Sequence, residues 1–192
     1  MISEKQRELT TQLYFSVGQC LTAWNGVEGL LATLVEHGHS KTEYYENDIA
    51  VGYWAIVSLE ARIAWCDAIA SHRLRGSQYA ELRERWTTIV NRLKKKARKR
   101  NEIAHGRVIS TVTRVGPTTF FVPYYNQRLF AYHQLPVDEF IATDFSNSAN
   151  PLNADQINER CASFRKLRND LRDFLKAWRE KDRQTGFHEP TT

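Results

Sequence analysis

The sequence predicts an all-α fold, an up-and-down helical bundle of four to five helices with a small β-hairpin or meander inserted after the third. Three observations predict it. Long stretches carry apolar residues at steps of three and four, the period of a helix with one buried face. One short stretch, beginning at Arg107, switches to β-branched alternation. The length, 192 residues with nine Phe and five Trp, suits one domain that buries a core without metals or disulfides.

The first helix is expected over residues 4–37, where Leu9, Leu13, Val17, Cys20, Trp24, Val27, Leu31 and Leu34 form one stripe. Gly18, Gly26 and Gly29 interrupt it, each weakening it by up to about 1 kcal/mol relative to Ala unless close helix approach needs them. Glu28 stands at the stripe edge, where a carboxylate either reaches water or pairs with a buried arginine. Gly38 reads as a C-cap. A second helix is expected over 47–73, apolar round most of its circumference and therefore central. The third, over 77–105, carries Leu82, Trp86, Ile89, Leu93 and Ala97, then Arg100 and Ala104, so Arg100 falls where an inward residue is due. Gly106 ends it.

Residues 107–114 and 119–122 read as strands around a turn signal at 115–118, and 129–134 as a third strand. So small a sheet must pack on helices. One or two helical turns are expected over 137–142, then a loop to Leu152. Asn153 with Gln156 three residues on marks the N-cap of a last helix over 154–182. The expected organisation is one domain over 1–183, with the β insert at about 107–135, and a disordered tail over 184–192.

Composition narrows the function. No apolar run nears the roughly 20 residues that span a bilayer, and the N-terminus has no signal-peptide core. A soluble, cytoplasmic protein is expected, with no membrane partner. Cys20, Cys66 and Cys161 lie far apart in helical patterns and read as buried thiols, not zinc ligands. His37 and His39 flank a glycine with no Asp or Cys close by, so no metal site and no cofactor is expected. There is no phosphate-binding loop; Gly26-Val-Glu-Gly29 lies inside a helix.

The net charge is +5, yet residues 92–100 alone hold seven Lys or Arg and no acid, which leaves the remainder slightly acidic. A patch so local points to a phosphate-rich partner, with Lys94, Lys95, Lys96, Arg98 and Lys99 as RNA-binding candidates. The helix dipole accounts for two or three cations near a C-terminus, not seven in nine residues.

The basic run continues into Arg100-Asn-Glu-Ile-Ala-His-Gly106. An arginine on a helix, followed by Asn and, four residues later, by His at the helix end, resembles the motif of the HEPN family of helical-bundle proteins. The helix order matches the family in outline. The spacing recurs at Arg128…His133 and Arg183…His188, and Arg98…His105 overlaps the motif. Only Arg100 has the Asn, an inward helical position and the Ala-His-Gly ending. The resemblance implies a metal-independent endoribonuclease, often a toxin or antiviral effector, working as a homodimer that brings two motifs to one cleft. It implies Arg100, Asn101 and His105 as catalytic residues and RNA as substrate; Glu28 and Glu102 are the supporting candidates. An antitoxin or effector-complex protein is the further partner implied.

The chemistry is coherent on its own terms. RNA cleavage by internal transfer needs a base for the 2′-hydroxyl, an acid for the 5′-oxygen and positive charge on the phosphorane. Histidine serves as acid or base near neutrality, and a guanidinium grips phosphate oxygens while staying charged. Plainer roles stay open on the sequence alone. His105 suits the last carbonyls of a helix, Arg100 an ion pair with Glu28 or Asp67, and Asn101 a cap. A non-catalytic nucleic-acid- or protein-binding module of the same fold is the alternative.

Overall fold

The structure is a computed structural model and describes residues 3–39, 46–113, 116–123 and 151–186. Among these are five α-helices: α1 (Glu4–Gly38), α2 (Glu46–Ala55), α3 (Leu59–Arg73), α4 (Ala80–Ala104) and α5 (Ala154–Gln184). A 3-10 turn (Ser77–Tyr79) precedes α4, and one antiparallel hairpin, β1 (Arg107–Thr113) and β2 (Gly116–Val122), follows it. The fold is thus all-α with a small β insert after the motif helix. The proposed third strand, the turns over 137–142, and both Arg128 and His133 lie outside the described residues, as does His188.

The chain forms two compact units. One comprises Met1–Ala23 with Arg98–Phe164, the other Trp24–Ala97 with Arg165–Thr192, so each boundary falls inside a helix. In the second unit the stripes read from the sequence meet as a core of Trp24, Leu31, Leu34, Trp86, Leu171, Phe174 and Trp178. The rings of Trp86 and Phe174 lie 5.4 Å apart and those of Phe174 and Trp178 5.7 Å. Gly38, expected as a C-cap, is the last residue of α1 and a point of close approach: a Cβ there would stand 2.1 Å from Ile69 Cγ2.

The single helix expected over 47–73 is two helices. The chain breaks at Ile56–Ser58, and Ser58 caps α3 by accepting from the Ala61 N–H at 3.3 Å. Arg62 stabilises the break. Its Nε donates to Ile56 C=O at 2.7 Å and its Nη2 to Trp54 C=O at 3.3 Å, supplying donors that the end of α2 lacks. The break resets the helical phase. Val51, Trp54 and Val57, part of the apolar surface expected to make this helix central, are exposed, Val57 at 96%. The glycines of α1 also divide. A Cβ at Gly26 would crowd the Arg168 side chain, but Gly18 and Gly29 face open space, so no close approach accounts for them.

The first unit buries Leu13, Cys20, Ile103, Phe121, Val122, Leu152, Ile157, Cys161 and Phe164. Two reciprocal capping boxes begin its helices. Gln6 N–H donates to Ser3 Oγ at 3.2 Å while Ser3 N–H donates to Gln6 Oε1 at 3.0 Å; the Asn153–Gln156 box expected from the sequence closes at 2.9 and 3.0 Å. The hairpin pairs from Arg107↔Val122 to Thr113↔Gly116, so strand begins inside the expected 115–118 turn. Phe121 of β2 also forms an isolated antiparallel bridge with Leu152, both bonds 2.9 Å, which ties the end of a stretch read as plain loop to the hairpin. The three cysteines are free and buried, and burial pushes the Cys66 thiol up to about 12.

Candidate functional site

The end of α4 is built by a helical stripe that runs into charge. Leu82, Trp86, Ile89, Leu93 and Ala97 are buried in turn, and Arg100 continues the row, half-buried. Its Nη1 donates to Asn101 Oδ1 at 3.2 Å. Side chains at i and i+1 diverge round a helix, so this bond needs the long arginine to fold back along the surface. The Asn101 amide oxygen is a neutral acceptor that orients this nitrogen of the guanidinium. Two of the three motif side chains are thus joined.

His105 stands just past the last helical residue, with its N–H donating to Asn101 C=O at 3.2 Å and its side chain exposed. At about 100° per residue its position is turned about 140° from that of Arg100. Arginine and histidine therefore leave α4 on different sides, one toward the core and one toward solvent. Gly106 follows for a steric reason: a Cβ there would meet Phe121 Cζ at 2.0 Å and the Val122 carbonyl oxygen at 2.8 Å. The glycine lets β2 pack against the helix end that carries the motif.

The basic run divides into neutralised and open positions. Arg92 pairs with Asp170, and Lys94 with Asp67 at 3.2 Å. Lys95, Arg98 and Lys99 are exposed and make no ion pair among the described residues. Lys96 is half-buried. A groove of about 550 Å³ lies beside Arg92, but it is lined by Glu84, Asp170 and Asp173 as well as Arg85 and Lys166, so its charge is balanced rather than phosphate-seeking.

Of the supporting carboxylates, Glu102 accepts from Arg160 Nη1 at 2.6 Å. Glu28, considered as a partner for Arg100, gives Oε1 to Trp24 Nε1 at 2.7 Å and Oε2 to Arg62 Nη1 at 3.2 Å. The Arg62 guanidinium also lies over the rings of Tyr53 and Trp54, at 5.4 and 5.1 Å. Asp67, the other carboxylate considered, accepts from Trp86 Nε1 at 2.9 Å. The Glu28–Arg62 and Asp67–Trp86 pairings were not legible in advance, because they join residues 34 and 19 positions apart.

One cluster gave no sequence signal at all. Asp182, 1% exposed, accepts from Tyr79 Oη at 2.6 Å and Arg73 Nη2 at 3.4 Å, and faces His37 Nε2 at 3.1 Å. Burial alone raises a carboxyl's pKa. Here the hydrogen bonds from His37 and Tyr79 and the charges of His37 and Arg73 outweigh it and hold Asp182 down at about 2. Among the described residues no three His, Cys, Asp or Glu converge as a metal set, and no helix is long and apolar enough to cross a membrane. Comparisons with protein-family models, with curated proteins and with solved structures return no match for this chain.

Proposed function

We propose that the chain is an endoribonuclease of HEPN type that needs no metal and acts as a homodimer, with Arg100, Asn101 and His105 at a cleft between two copies. The observation that carries the reading is the Arg100 guanidinium, oriented by the neutral Asn101 oxygen, one turn before an exposed His105 on the most basic stretch of the chain. In the reaction the 2′-oxygen bonds to phosphorus and the 5′-oxygen leaves. One histidine takes the 2′-hydroxyl proton and another returns a proton to the leaving oxygen. Each chain brings one such histidine, so a two-fold pair supplies both. Arg100 stabilises the charge that grows on the phosphorane oxygens. Lys95, Arg98 and Lys99 hold the RNA backbone. The products are a 2′,3′-cyclic phosphate and a 5′-hydroxyl. A toxin or phage-defence effector restrained by a partner protein is the setting that fits such an activity.

The test is cleavage of total cellular RNA in EDTA by the wild type and by His105→Ala. Loss of one acid–base group lowers the rate about 10²–10⁴-fold. Equal cleavage by a well-folded His105→Ala protein sinks the assignment.

The second reading is a non-catalytic nucleic-acid-binding module. It is favoured by Gly106, whose place in the motif is accounted for by packing against Phe121 and the Val122 carbonyl. RNA binding that weakens steeply with salt, without cleavage, selects it.

A further inference from the structure

The last turn of α4 is held from two sides by residues of its own unit. On one side Glu102 accepts from Arg160 Nη1 at 2.6 Å, with the two side chains 28% and 19% exposed. On the other, Gly106 lies under Phe121. The two holds are connected. Phe121 exchanges both backbone hydrogen bonds with Leu152, and Leu152 leads directly into the Asn153–Gln156 capping box that opens α5. Two turns along, α5 presents Arg160 back to Glu102. Helix end, hairpin, bridge and α5 thus form a closed circuit, and His105 sits between its two anchors, Glu102 and Gly106.

The circuit answers a physical need. The last four carbonyls of a helix lack helical partners, so its final turn frays. Ile103, 1% exposed, fixes how deep that turn sits. One apolar anchor does not fix its rotation. A charge-assisted bond between half-buried partners, made one residue after Asn101, adds that constraint and is stronger than a solvent-exposed pair.

We propose that Arg160 is a positioning residue for the Arg100–Asn101–His105 motif, acting through Glu102. The proposal rests on the ribonuclease reading. A displacement of about 1 Å in reacting groups lowers rate about 10²-fold, so a small rotation of this turn is enough to matter.

The test compares the full-length wild type, Arg160→Ala, Arg160→Lys, the exchange Glu102→Arg with Arg160→Glu, and His105→Ala. The substrate is a mixed-sequence single-stranded RNA in EDTA, with kcat and KM determined separately and amide exchange recorded. Arg160→Ala is expected to lower kcat about 10²-fold with KM nearly unchanged, and to speed exchange at Ile103, Ala104 and His105 above all. Arg160→Lys and the exchange variant are expected to recover part of kcat. Wild-type cleavage by Arg160→Ala, with His105→Ala inactive, overturns the positioning role and leaves the ribonuclease reading standing. So does a loss of cleavage that only tracks the unfolded fraction, with exchange faster everywhere. A wild type no more active than His105→Ala overturns both.

Discussion

Two regions of the molecule use charge in opposite ways, the buried core of one unit and the exposed end of α4. In the unit of residues 24–97 and 165–192, ionised side chains are buried and matched to partners: Asp182 with His37, Arg73 and Tyr79, and Glu28 with Arg62 and Trp24. At the end of α4, Arg98, Lys99 and His105 are exposed to solvent, and Arg100 Nη1 donates to the Asn101 amide oxygen. A buried charge is tolerable only when it is paired, so its chemistry is spent on the fold. An exposed cation contributes little to folding and keeps its capacity for a ligand. The contrast separates residues whose loss is expected to lower stability from those whose loss is expected to lower RNA binding or cleavage under the proposed function.

The largest break in that contrast comes from Asp182→Asn. It removes the anion shared by Arg73 and His37 and is expected to destabilise by about 3–5 kcal/mol, a fall in Tm of about 6–20 °C by calorimetry. The same carboxyl sets an acid limit. Its folded pKa of about 2 lies below the ordinary carboxylate value, so the unfolded state binds the proton first. Its contribution is complete above about pH 4 and is lost as pH falls toward 2. Urea unfolding of wild type and Asp182→Asn should therefore converge in that window; a constant gap contradicts the assignment.

Gly106→Val is next. The new side chain overlaps Phe121, and the expected loss is about 1–3 kcal/mol, with hairpin amides exchanging faster. Paired with Phe121→Ala, which vacates the space, the two changes should be non-additive in a double-mutant cycle.

The smallest effects belong to the open cations. Replacing Lys95, Arg98 or Lys99 by Gln should leave the unfolding free energy within about 0.5 kcal/mol of wild type. Each is expected to reduce the salt slope of single-stranded RNA binding by about 0.7. The same change at Arg92 or Lys94, already paired with Asp170 and Asp67, should alter the slope less.

How much was legible depends on the range of the signal. Local and periodic features read directly: the stripes of α1, α4 and α5, the hairpin and the Asn153–Gln156 box each need only a few neighbouring residues. The helix expected over 47–73 failed because its apolar pattern runs on through a break set by Arg62, a side chain that reaches back to Trp54 and Ile56. The candidate motif residues were chosen by spacing and context. Their supports were not, since Arg160 lies 58 positions from Glu102.

By itself, then, the sequence determined the long helices α1, α4 and α5, the β insert and the concentration of charge at 92–100, because periodicity, capping and composition act over a few residues. Tertiary structure decided which charges are consumed and which remain open. It assigned Glu28 to Arg62, Asp182 to three partners and Glu102 to Arg160, and it made Gly106 a steric necessity. Pairing of this kind depends on which surfaces meet once the helices pack, and residues far apart in the chain carry no local mark of it.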